Sequence, residues 1–325
     1  MDPITHALSG MAGSLCLPSN TKRQHLYCII AASLPDIDNL AFLWGQEAYM
    51  IHHRGFCHSF IGGFFLAAIL VLISRLIDQK YSWKNLFLFT YTLICLHLFL
   101  DVITSYGTQL LLPFTHYRYS MPSVFIIDFL LTGSLIIGVS CVFIYPKKRK
   151  EIAAIIIAFL LIYPGFCKAI QFIQLERTKT VLSKEIHHKD HINVLPALFA
   201  PIYWKVIIEK KNCYEMRHLS IFSDINLVEA YTFEKADLEA IIEQSPDISF
   251  IKTFSWFVDY PAIKSHHMGH NKYMTIVDLK FVSVIPWLKE LRDHNQMPFQ
   301  LQLLFNQKNE IEKYFFGLKT VEVVQ

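Results

Sequence analysis

The chain has 325 residues, 53% of them hydrophobic, with 26 phenylalanines and a net charge of +3. That charge is too small for a nucleic-acid partner to be expected, and no basic arm or basic–aromatic alternation runs along any segment. Seven cysteines are an odd number, and six of them (Cys16, Cys28, Cys57, Cys95, Cys141 and Cys167) lie in or beside apolar segments, which excludes a disulfide framework and fits small buried hydrophobes.

The apolar excess sits in the first half, which points to a membrane part followed by a water-facing part. The opening MDPITHALSG has no basic region and no small-residue cleavage site, so a cleaved signal peptide is not expected. Two short apolar stretches come first, Ile4 to Leu17 and Leu26 to Trp44. The former is short for a span and the latter is interrupted by PDID at 35–38. They read as a helical hairpin, a re-entrant element, a further pair of spans, or two helices buried against a bundle.

Four stretches then approach the roughly 20 residues that a helix needs to cross a hydrocarbon core of about 30 Å: Ser59 to Ile77, Leu86 to Thr104, Val124 to Tyr145 and Ile152 to Ile173. The expectation is an α-helical integral membrane domain of four to six membrane-embedded helices over residues 1–173. Lysine and arginine orient it. Arg75, Lys80 and Lys84 follow the first strong stretch, Lys147, Lys148, Arg149 and Lys150 follow the third, and Lys22 and Arg23 sit between the two short ones. Those loops are expected in the cytoplasm. The loop 105–122, with Arg118 alone, is expected outside, and so is the polar half. The cell address this implies is a multi-pass bacterial inner membrane with a periplasmic C-terminal domain.

From about Gln174 to Gln325 charges become frequent. Period-2 runs appear at WKVIIE (204–209), MTIVDLKFVSV (274–284) and QLQLLF (300–305), with a helical pattern at EKADLEAIIEQ (234–244). About 150 residues suffice for a separate core. One external α+β domain over 174–325 is expected.

Chemistry concentrates in the first half. HHRGFCHS (52–59) holds His53, Arg54 and His58; Gly55 permits a turn there and Ser59 would cap the helix that follows. HLFLD (97–101) puts His97 and Asp101 on one helix face by i, i+4 spacing, and ionisable groups inside a span are costly and usually functional. PDID offers Asp36 and Asp38, whose like charges call for a cation. The lysine and arginine bias alone places these residues, with His6 and Asp128, toward one membrane face. Imidazole and carboxylate together suit zinc or manganese. Each has an ordinary alternative: an interfacial histidine that snorkels, a PDID that merely stops a helix, an Asp128 that caps one. A second histidine group, His187, His188, His191, His266, His267 and His270, reads as solvated loop, although metal binding is the other reading.

These motifs resemble the YdjM-type family of membrane-bound metal-dependent hydrolases. The likeness rests on DPITHALSG (2–10), LPDIDNL (34–40), HHRGFCHS (52–59), HLFLDVITSYGTQLLLP (97–113) and FIIDFLLTG (125–133), and more faintly on ALFAPIYWKVIIE and TIVDLKF in the second half. Cys57 stands where the family usually has threonine. A more distant likeness is to zinc-dependent phospholipase C and P1-type nucleases, which build zinc sites from similar residues. The resemblance implies a hydrolase at the external membrane face, with His6, Asp36, Asp38, His53, His58, His97 and Asp101 holding one to three divalent ions. Such ions would activate water for attack on a phosphoester. Arg54 would pair with the substrate's anionic oxygens, and Asp128 would orient a ligand histidine. Site depth implies membrane lipids as neighbours and a lipid-linked phosphoester as substrate. The alternatives are a non-catalytic membrane protein with a structural metal and a partner-binding external domain, and, third, a metal transporter, which would want ligands at mid-membrane depth.

Overall fold

Asp2 and Pro3 start the first helix. In the computed structural model, which describes residues 1–18, 21–77, 82–268, 271–282, 299–308, 310–317 and 320–323, the Asp2 carboxylate accepts the Thr5 N–H at 3.0 Å. Proline supplies no N–H at a position where none is needed. Helix α1 (Pro3–Leu15) follows, then α2 (Lys22–Ser33), capped by Thr21. Pro35 cannot continue the α-helical ladder, and the chain tightens into a 3₁₀ segment, Leu34–Trp44. A run of that length in this poorer hydrogen-bond geometry is uncommon and often marks a functional segment; here it carries Asp36 and Asp38. Helix α3 (Gln46–His52) and a 3₁₀ turn (Phe56–His58) lead into α4 (Phe60–Ile77), α5 (Trp83–Val102), α6 (Phe129–Ile144) and α7 (Arg149–Val181).

Among the described residues, three helical runs are long and apolar enough to cross a membrane: Lys22–Trp44, Trp83–Val102 and Pro146–Val181. A fourth is added if Gln46–His58 and Phe60–Leu76, bent by 68°, count as one broken span. The short stretch interrupted by PDID is thus part of a candidate span. The stretch from Val124 to Tyr145 differs from expectation in the other direction. Its first residues are held as loop by the bonds of the Ser123 and Val124 N–H groups to the Ile103 carbonyl (2.9 and 3.1 Å), so α6 starts only at Phe129 and has 16 residues.

Small side chains let α1, α2 and α5 approach. Cys28, Ala31 and Ala32 pack with Leu93, Ala67 of α4 meets Ile94 and Leu98 of α5, and Leu15, Val142 and Ala153 join α1, α6 and α7. Large apolar side chains point outward instead, among them Leu72 and Leu76 on α4, Ile137 and Phe143 on α6, and Ile155 and Ile162 on α7. Water would penalise that surface and lipid would not.

The chain divides into two compact units, Met1–Ile170 with Leu198–Pro201, and Gln171–Ala197 with Ile202–Gln325. The division at 173/174 expected from composition falls inside α7, a continuous helix that contributes residues to both. Among the described residues, the second unit is an antiparallel meander of nine strands in sequence order, β1 (His191–Pro196), β2 (Tyr203–Glu209), β3 (Cys213–Ser220), β4 (Ala230–Lys235), β5 (Pro261–Met268), β6 (Asn271–Asp278), β7 (Leu301–Phe305), β8 (Ile311–Phe316) and β9 (Thr320–Val323). Helices α8 (Leu238–Gln244) and α9 (Ser249–Phe257) lie between β4 and β5. All three period-2 runs contain strands, with residues 283 and 284 of the second outside the described residues. β2 departs from alternation, being buried on both faces from Trp204 to Ile208; even Lys205 is enclosed, its ammonium donating to the Leu279 and Lys280 carbonyls at 2.8 and 2.9 Å. The helical pattern expected over 234–244 shortens to α8 because Glu234 and Lys235 pair in β4 and Asp237 caps the helix, accepting from Ala240 N–H at 2.9 Å.

Candidate metal centre

Four segments of the first unit converge. His6 comes from α1, Asp36 and Asp38 from the 3₁₀ segment, His53, Arg54 and His58 from the turn between α3 and α4, and His97 and Asp101 from α5. The His97 and His58 Nε2 atoms stand 3.0 Å apart. Asp101 Oδ2 lies 3.1 Å from His58 Nε2 and 3.3 Å from His97 Nε2, and Asp36 Oδ1 lies 3.6 and 3.8 Å from the same two atoms. His6 stacks on His97 with ring centroids 3.6 Å apart, and its Nε2 is 3.4 Å from Asp101 Oδ1. His6, His58, His97 and Asp101 are buried, while Asp36 keeps 20% of its side chain exposed. Two donor triads emerge, His6–Asp36–His97 and His58–His97–Asp101, each with one atom per residue within 4.8 Å of the others.

The proton inventory of this cluster is short. His97 Nδ1 lies 2.6 Å from the Ala32 carbonyl oxygen, and His58 Nδ1 lies 2.6 Å from Asp38 Oδ2. Both oxygens only accept, so both Nδ1 atoms carry a proton, and both rings turn Nε2 toward one another and toward the carboxylates of Asp101 and Asp36. Among the described residues, neither His6 nitrogen nor Asp101 Oδ2 has a hydrogen-bond partner. Burial, and after it His97, pushes the His6 imidazole down to about 3, which leaves that ring neutral. Lone pairs that face one another in a dry site repel unless a proton or a cation lies among them. Ligands on a tetrahedral zinc with bonds of about 2.0–2.1 Å stand about 3.3 Å apart, and the observed 3.0–3.8 Å separations bracket that value. The residues fit a divalent ion.

The remaining expected residues are placed differently. Asp38 and His53 adjoin the cluster but belong to neither triad. Asp38 Oδ1 is 3.1 Å from His53 Nδ1, and its Oδ2 accepts from Arg54 N–H at 3.1 Å as well as from His58. Arg54, expected to face substrate, is buried and already neutralised. Its guanidinium lies 2.8 Å from Asp101 Oδ1, donates to Thr104 Oγ1 at 2.9 Å and to the Asp101 carbonyl at 3.3 Å, and covers the Tyr106 ring at 4.7 Å. The Met1 amino group contacts the same Asp101 oxygen. The left-handed residue of the turn is Arg54 itself, with φ 57°, rather than Gly55.

Asp128 does not orient a ligand histidine. It caps α6, accepting from Leu131 N–H at 2.8 Å, and is gripped by the Tyr163 hydroxyl at 3.0 and 3.2 Å. The reason is that both carboxylate oxygens are engaged by the start of α6 and by Tyr163 of α7. Of the second histidine group, His187, His188 and His191 are exposed. His266 and His267 lie on the β5 backbone with their side chains outside the described residues, as is all of His270. Unforeseen contributors are the Ala32 carbonyl, Thr104 and Tyr106. Thr104 figured as the end of an apolar stretch, and a backbone carbonyl leaves no mark in a sequence.

A family model described as YdjM inner membrane protein matches residues 1–172. The chain is similar to an uncharacterized protein, YfhP, of Bacillus subtilis (strain 168), at 30% identity over 124 residues, which is 35% of this chain and 38% of that protein. The match therefore spans well under half of the relative's length. No solved structure matches the chain significantly.

Proposed function

The chain belongs to the YdjM inner membrane protein family, and from that premise we propose that it is a membrane-bound, metal-dependent hydrolase of phosphoester, lipid-linked substrates. One observation carries the reading: the Nε2 atoms of His58 and His97 and Oδ2 of Asp101, all buried, converge within 3.0–3.3 Å of one another. His6, Asp36, His58, His97 and Asp101 would hold the ion, zinc or manganese by donor chemistry. His97 Nδ1 is engaged by Ala32, so His97 offers one nitrogen to both triads, which favours a single ion over the full range of one to three. A divalent ion there would supply Lewis acidity and lower the pKa of water.

The chain's own residues do the rest. Arg54 holds Asp101 in place and offsets its charge in the dry interior. Asp36 is the exposed edge of the cluster, where a substrate oxygen would arrive. Ile37, Leu40 and Phe56, on the same segments as Asp36 and His58, are exposed apolar side chains, which suit an amphiphile whose tail stays in lipid. The lysine and arginine bias would put this face and the α+β unit in the periplasm; a reporter fused after the last strand tests that side directly.

The test of the site is metal content of detergent-purified protein by mass spectrometry. Wild type should carry near-stoichiometric zinc or manganese, and His97→Ala with Asp101→Ala should lose it while remaining folded. A wild type that neither carries nor takes up metal overturns the reading. The second reading, a structural metal in a non-catalytic protein, draws on the burial of four of the five donors, since structural sites are closed. A metal-loaded protein inert toward every phosphoester lipid in a broad screen would favour it.

A further inference from the structure

We propose that Asp38 is a positioning residue for the metal centre and not one of its ligands. The inference rests on the metal reading above and divides the acidic pair of PDID into two roles, with Asp36 as the ligand.

Asp38 collects three donors from one short stretch of chain. Its Oδ2 receives His58 Nδ1 at 2.6 Å and the Arg54 N–H at 3.1 Å, and its Oδ1 receives His53 Nδ1 at 3.1 Å. A carboxylate only accepts, so each partner donates. Oδ2 has two lone-pair positions, and both are taken. For Asp38 to bind an ion through that oxygen it would have to release the shortest bond in the turn. The arrangement instead fixes His58 with a proton on Nδ1 and its Nε2 aimed at His97 and Asp101. That is the carboxylate–histidine–metal relation in which the outer carboxylate sets ring orientation and tautomer.

Two further observations agree. The other inward-facing ring, His97, has its own orienting acceptor in the Ala32 carbonyl at 2.6 Å, so each of these two ligand histidines is held from behind by a separate group. Arg54 has φ 57°, a conformation that costs a non-glycine residue free energy, and the bond from its N–H to Asp38 helps hold it there. Asp38 thereby folds the whole 53–58 turn around itself. His53, tied to Asp38 by Nδ1 and stacked on Tyr49 with centroids 4.8 Å apart, is part of this clamp and lies outside both donor triads.

The experiment is a double-mutant cycle on zinc affinity of the full chain in detergent, read by competition with a chromogenic chelator. Asp38→Asn should weaken zinc binding about 10–100-fold and still reach the wild-type stoichiometry at saturating zinc. In a His58→Ala background the same change should weaken binding no further, because Asp38 acts through His58. Asp36→Asn should weaken binding in both backgrounds. Asp38→Glu, which keeps the acceptor, should recover affinity relative to Asp38→Asn and stands in if the asparagine variant fails to fold. Equal and additive losses for Asp38→Asn with and without His58 would make Asp38 an independent ligand and overturn the proposal. Unchanged affinity in Asp38→Asn would overturn it too. A wild type that binds no zinc would overturn the metal reading itself, a separate failure seen before any variant is made.

Discussion

At the scale of single residues the molecule separates two kinds of buried carboxylate. Asp101 faces the Nε2 atoms of His58 and His97 and pairs with Arg54. Asp128 faces donors, the Tyr163 hydroxyl and the Leu131 N–H, and serves packing between α6 and α7. The distinction is testable. Tyr163→Phe should lower thermal stability by about 1–3 kcal/mol by removing the side-chain donor to a buried carboxylate, and should leave zinc affinity unchanged. A parallel loss of zinc affinity would tie Asp128 to the metal centre after all.

At the scale of elements, the site depends on how tightly the 3₁₀ turn Phe56–His58 sits on the start of α4. Ser59 caps that helix, accepting the Gly62 N–H at 2.9 Å. A Cβ on Gly62 would lie 1.8 Å from the Phe56 carbonyl oxygen, a contact that backbone cannot relieve without moving the turn. Gly62→Ala should therefore destabilise the protein by about 1–3 kcal/mol as overpacking does, and should also weaken zinc binding, because His58 rides on the displaced turn. Calorimetry and chelator competition on the same sample check both. An alanine variant with unchanged zinc affinity would show that the turn and the cluster are decoupled.

At the scale of the whole molecule the two units respond to different chemistry. On the proposed metal reading, an ion bound only by the folded first unit would stabilise it by mass action, by about 2.7 kcal/mol at a free concentration of 100 times Kd. Chelation should lower the midpoint of wild type and leave that of the His97→Ala, Asp101→Ala variant in place. The second unit is sensitive to acid through Glu215. Burial works to raise that carboxyl, but the bonds from Lys210 at 2.6 Å and Arg217 at 2.7 Å outweigh it and hold the group below the ordinary 4.5. A carboxyl lowered in the folded state stabilises fully above its unfolded value and loses that contribution as pH falls through the folded one. The stability gap between wild type and Glu215→Gln should thus be constant above pH 4.5 and shrink below it in acid titrations of the unfolding midpoint.

The existence of the membrane helices, the strands at WKVIIE, MTIVDLKFVSV and QLQLLF, and the pairing of His97 with Asp101 were all legible in the sequence, because each depends on local periodicity or hydropathy. Helix α9 was not foreseen. Its buried Phe250, Ile251, Phe254 and Phe257 form a helical face only once there is a core for them to enter. The late start of α6 depends on bonds to Ile103, about twenty residues earlier, and the capture of Asp128 by Tyr163 joins positions 35 apart. Which carboxylate of PDID meets lone pairs and which meets N–H groups was invisible for the same reason. Residue type and spacing determined that histidines and carboxylates would gather at one end of the helices. Only the tertiary structure decided which atom of each ring faces which oxygen, since that orientation is set by Ala32, Asp38 and Arg54, groups distant in the chain from most of the side chains they hold.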